Sequence, residues 1–158
     1  MTPKESATPE LALRDAIRIR LKATAAVAAL VAKRIHDEVP PARGDAVPPP
    51  ALQVPYVYFG PMRRSDYEIG CGESWTIQAR LYAVSTAFDR DQGWRVVDAM
   101  IAALNGLERP DLPLADPYSL RIPVEVVQAG DVIDPLQAKA VFLDLRTRIA
   151  RPLPGQEP

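Results

Sequence analysis

The sequence predicts an α+β domain, with a mostly antiparallel sheet of about five strands, helices packed on one face, and the order ααβββαββ. Three observations lead there. Residues 10–39 and 62–109 contain no proline, which leaves room for uninterrupted elements, because proline lacks an amide donor and breaks helix interiors and central strands. Apolar residues inside these windows recur first at helical and then at alternating spacing. The 17 prolines, about twice average usage, cluster between and beyond the windows and mark the loops.

Residues 1–9 lack periodicity and read as a loose arm, so the domain is expected to span 10–150 and residues 151–158 to form a tail. From Glu10 onward, Leu13, Ile17 and Leu21 recur every fourth residue, with Arg14, Arg18 and Lys22 one step round. That is an amphipathic helix with a solvated basic row. Thr24 is placed to cap a short alanine-rich second helix running to about Ala32, with Val27, Leu30 and Val31 on its buried side. Residues 34–39 alternate weakly and read as a short edge strand. The proline-rich loop at 40–53 cannot pair along a ladder.

Residues 54–59 read as a strand carrying Tyr56, Tyr58 and Phe59, continuing toward Ile69 with Pro61 tolerated at an edge or bulge. Gly70 and Gly72 accept positive φ and suggest a hairpin turn. In the next strand Trp75, Ile77, Ala79, Leu81 and Ala83 alternate with Thr76, Gln78, Arg80 and Tyr82, one face core and the other polar. Asp89 and Asp91 favour a helix start, Trp94, Val97, Met100, Ile101 and Leu104 form its apolar stripe, and Gly106 ends it. Residues 108–117 read as a loop. Leu120, Ile122, Val124 and Val126 then alternate with polar residues, and Pro123 pushes that strand to an edge or bulge. Residues 130–135 turn the chain into a last strand, in which Val141, Leu143, Leu145 and Ile149 alternate with Asp144, Arg146 and Arg148.

The totals exclude several function classes. No apolar run approaches the ~20 residues that cross a bilayer, and the polar start lacks the form of a signal peptide, so the expectation is a protein made and kept in a cytoplasm, with no membrane partner. A net charge of -1 argues against a bulk nucleic-acid binder. One cysteine, Cys71, excludes an intrachain disulfide, and one histidine, His36, leaves too few soft ligands for a structural zinc site.

Chemistry is sparse. There is no glycine-rich phosphate loop, no Gly-x-Ser-x-Gly elbow and no His-Glu-x-x-His pair. His36 and Asp37 are strand neighbours that point to opposite faces, and Cys71 sits in a glycine turn without an evident activating cation. Asp111 and Asp116 flank prolines and read as turn residues. No catalytic, cofactor or metal site is expected; Trp75 and Trp94 fit core stripes. The candidate contacts are Arg63, Arg64 and Asp66 near the first hairpin, with Arg146 and Arg148 on the last strand. Paired arginines suit carboxylates on a partner or a phosphate backbone; the plainer reading is a mixed-charge strand face balanced by Asp66, Glu68 and Glu73.

Several stretches carry a resemblance: the helix from Leu11 to Leu21, Val27-Ala-Ala-Leu-Val31 leading into Arg34-Ile35-His36-Asp37-Glu38-Val39-Pro40, Pro55-Tyr56-Val57-Tyr58-Phe59-Gly60, the strand from Trp75 to Val84, and the helix opening Gly93-Trp94-Arg95-Val96-Val97. Taken in order, the chain resembles the tail-completion or tail-terminator proteins of long-tailed phages and gene transfer agents over residues 11–149. The resemblance implies a virion protein assembled in the host cytoplasm. It implies a homo-oligomeric ring, commonly six-fold, that caps the tail tube, ends its polymerisation and meets a neck or head-completion protein, with DNA only in transit. A neck or head-closure protein is the near alternative. A small enzyme or regulatory domain using His36 or Cys71 is the alternative of another class.

Overall fold

A computed structural model of the chain describes residues 8–38, 55–70, 72–85, 90–132, 140–153 and 155. The first helix, α1 (Pro9–Ala23), starts where the sequence favours it, within the stretch read as the arm. Thr8 caps it, its side-chain oxygen accepting from the Leu11 amide at 3.3 Å, and Pro9 takes the first helical position. Ala12, Leu13, Ala16, Ile17 and Leu21 are buried along one stripe. The second helix, α2 (Ala25–Val31), follows at once and buries Val27 and Val31. Thr24 precedes it but gives no side-chain cap. Its hydroxyl donates to the Arg20 carbonyl at 2.8 Å, so it closes α1 instead of opening α2.

Among the described residues five strands form one sheet in the order β1-β2-β3-β5-β4: β1 (Ile35–His36), β2 (Tyr56–Ile69), β3 (Glu73–Val84), β4 (Ser119–Val132) and β5 (Ala140–Arg151). The pair β1·β2 is parallel and the rest are antiparallel. The third helix, α3 (Arg90–Leu104), links β3 to β4 and ends at Gly106, whose φ of 78° suits glycine. The last strand inserts between β3 and β4, so the central ladder joins segments some seventy residues apart, with Trp75 opposite Ile149 and Ala83 opposite Val141.

Alternation divides the sheet cleanly. Trp75, Ile77, Ala79, Leu81 and Ala83 of β3, with Val141, Leu143, Leu145 and Ile149 of β5, face the helices and are buried. They join the apolar stripes of α1, α2 and α3 in one core. Pro61 and Pro123 each lie at a register shift, the first between Phe59 and Met62, the second between Ile122 and Glu125. A bulge absorbs the missing amide donor in both strands.

Four expectations shift by small amounts. Trp94 is 39% exposed, because the stripe of α3 runs through Gly93, Val96, Val97, Met100, Ala103 and Leu104. Gly93 brings the helix so close to β5 that an added Cβ would sit 3.0 Å from Val141, and Trp94, one step round, donates from its indole nitrogen to Asp131 at 2.8 Å. Ile122 is 42% exposed, since the bulge on either side of it turns it opposite Arg148 on the outer face. The strand read as ending at Gly130 continues to Val132. Among the described residues of this hairpin positive φ falls on Asp66, at 51° inside β2; Gly72 is needed for space, as a Cβ there would lie 2.7 Å from the Arg151 carbonyl oxygen. Cys71 and the proline-rich loop at 40–53 lie outside the described residues.

Candidate functional site

The sheet face opposite the helices carries the side chains that chemistry or assembly could use. Strand alternation places Tyr56 and Tyr58 of β2, Arg80 and Tyr82 of β3, and Phe142, Asp144, Arg146 and Arg148 of β5 on it. At the β1 end the rings form a chain. His36 lies 5.9 Å from Tyr56, Tyr56 6.3 Å from Tyr58, and Tyr58 stacks on Tyr82 at 4.9 Å. Burial raises the hydroxyl pKa of both Tyr56 and Tyr58, and for Tyr58 the neighbouring Tyr82 and Tyr56 add to it.

Two glycines let rings lie down on the sheet. A Cβ on Gly60 would be 2.4 Å from the Tyr82 ring, and one on Gly130 would be 2.9 Å from Phe142. The Phe142 ring in turn carries the Arg80 guanidinium at 4.2 Å. That guanidinium grips Asp144 with two bonds of 2.7 Å, and the Gln128 amide donates to the same carboxylate at 2.7 Å. Asp144 is thereby held below the usual aspartate range, chiefly by Arg80 and against the effect of its partial burial. Arg80 is pushed up by the same pairing.

The sequence-derived candidates are placed apart. Arg146 pairs with Glu125 at 2.7 Å, and Arg148 with Glu68 at 2.7 Å. Arg64 leaves that face, pairs with Glu10 on α1 and lies 5.3 Å from the Trp75 ring. Burial only partly offsets that pairing, which lowers the Glu10 pKa. Glu73 takes Arg151. Two of the three acids expected to balance Arg63 and Arg64, Glu68 and Glu73, are therefore taken by β5, and among the described residues Arg63 and Asp66 keep no ionic partner.

Sequence reading missed the Arg80–Asp144–Gln128 cluster. Each residue is visible as polar alternation, but their meeting depends on β5 lying between β3 and β4. His36 and Asp37 do not meet: Asp37 binds Arg14 at 2.7 Å. Among the described residues no group of three or more His, Cys, Asp or Glu side chains could hold a metal ion. No helix there is long and apolar enough to cross a membrane.

Comparison with known proteins gives two findings, while no curated protein matches the chain significantly. A chain in the solved structure titled "Virion of native gene transfer agent (GTA) particle" shares the fold with a TM-score of 0.74, at 23% identity over 92% of this chain and 99% of that one. The family described as "Tail completion protein gp17" matches residues 15–150. That stretch begins inside α1 and ends inside β5, so it takes in most of α1, all of α2, α3 and β1 to β4 and nearly all of β5, and the chain belongs to the tail completion protein gp17 family.

Proposed function

We propose that the protein is a structural component of a phage-like tail, forming a ring at its head-proximal end that stops tube growth and presents a surface to the neck or head. The family match over residues 15–150 carries this reading. A ring seated on the last tube ring blocks addition of tube subunits and keeps a channel for DNA, and neither task requires catalysis.

The two sheet edges support assembly through side chains. Tyr67 and Ile69 of β2 are 53% and 66% exposed, and Val127 on the opposite edge strand β4 is 48% exposed. A head-to-tail ring brings such unlike surfaces together. Continuous strand pairing between subunits is disfavoured, because bulges at Pro61 and Pro123 interrupt both edges. Arg63 and Asp66, unpaired among the described residues, are the contacts we assign first; Arg64, Arg146 and Arg148 would have to exchange an internal partner.

Negative-stain imaging of the purified protein mixed with tail tubes tests the reading, with rings expected at tube ends. Depleting the protein from a producing cell should give tails of abnormal length or tails that fail to join heads. Normal-length tails that still join would overturn it, and normal tails accompanied by leaking filled heads would favour a neck protein.

A further inference from the structure

A cleft of about 600 Å³ opens at the end of the sheet, between the tip of the β2–β3 hairpin, the segment leading into β4 and the end of β5. Its walls combine two kinds of surface. Ile69, 66% exposed, Pro117 and Pro152 give it apolar lining. Arg109 and Arg121 supply guanidinium groups, and among the described residues neither has an ion pair or side-chain hydrogen bond.

The carboxylates at the same site are largely spoken for. Glu68 is bound by Arg148 at 2.7 Å and Glu73 by Arg151. Only Asp116 remains without a partner among the described residues that line the cleft. The free charge is therefore two guanidiniums against one carboxylate, beside an apolar wall. A guanidinium fork matches a carboxylate with two parallel hydrogen bonds.

We propose that this cleft binds a short acidic peptide segment of a partner protein, its carboxylates taken by Arg109 and Arg121 and an apolar residue seated against Ile69 and Pro117. The cleft shares Ile69 with the β2 edge, but its recognition rests on Arg109 and Arg121 and does not depend on the tail reading. Duplex DNA is the poorer fit. Its backbone carries one charge per ~1.7 Å of axis and is met by an extended basic stripe, whereas Arg109 and Arg121 stand in a concavity shared with Glu68, Glu73 and Asp116.

The test is fluorescence anisotropy of the full chain with a labelled peptide of alternating glutamate and leucine, run beside a short labelled DNA duplex. Saturable binding of the peptide is expected. Arg109→Ala and Arg121→Ala should each weaken it about tenfold, the scale of a lost hydrogen bond to a charged group. Lys22→Ala, on the exposed face of α1, should leave it unchanged. Both arginines are exposed, so the variants should fold, and circular dichroism checks this. Absence of saturable peptide binding would overturn the proposal. So would binding indifferent to both substitutions, or duplex binding with the same dependence on Arg109 and Arg121.

Discussion

On one face of β3 and β5, Ile77, Leu81, Leu143 and Leu145 are buried under helices; on the other, one residue away, Arg80, Tyr82, Phe142 and Asp144 stay partly exposed, with no helix packed on them among the described residues. The first face is ordered by removing apolar area from water, at roughly 25 cal/mol per Å². The second is ordered by lamination: rings lie flat over Gly60 and Gly130, and a bidentate ion pair closes over Phe142. A sheet face can thus be held in one arrangement without offering a large greasy patch. It stays compatible with water yet open to a partner.

Substitutions on the two faces should separate these modes. The largest loss is expected from Leu81→Ala or Leu143→Ala, both fully buried, at about 2–5 kcal/mol in denaturant unfolding. A change under 1 kcal/mol would show that the helix-covered face is not the main source of stability. Next comes Gly60→Ala, which pushes a methyl into the Tyr82 ring and should cost about 1–2 kcal/mol. In a Tyr82→Ala background the same change should cost little, so a double-mutant cycle isolates the lamination.

Smaller again is the effect of Arg80→Met, about 1 kcal/mol, since the pair is hydrogen-bonded but partly open to solvent. Its signature is in the pH profile. The folded-state pKa of Asp144 lies below its unfolded value, so the stabilisation is complete above about pH 4, the ordinary aspartate range, and is lost as pH falls through the folded value. Glu10, lowered by Arg64, acts with the same sign. Unfolding midpoints should be level from neutrality to about pH 5 and drop in more acidic buffer, less steeply in Arg80→Met. An equal acid slope in both proteins would remove Asp144 from this role. The smallest effect on stability is expected for Arg63→Ala, within about 0.5 kcal/mol; loss of tube-end rings in that variant would then report on assembly alone.

Much of the fold was legible because its signals are local. The spacing of Leu13, Ile17 and Leu21 gave a helix, the alternation from Trp75 to Ala83 gave a half-buried strand, and Pro61 and Pro123 marked bulges. Trp94 and Ile122 were misplaced for a different reason. A close approach at Gly93 and a bulge beside Pro123 each rotate a side chain off the face that strict periodicity assigns it, and neither is encoded in the neighbouring residues alone.

The candidate site was legible only as residue types. Its arginines and acids could be named, but Arg148 finds Glu68, Arg151 finds Glu73 and Arg80 finds Asp144 across strands distant in sequence. By itself the sequence determined the elements, their order and most of the core-facing residues, since periods of 3.6 and 2 follow from backbone geometry within each segment. Only the tertiary structure decided that β5 lies between β3 and β4, which charges are spent internally, and that Arg109 and Arg121 meet at one cleft. Those outcomes rest on register and strand order, and a shift of one residue sends every side chain of a strand to the other face.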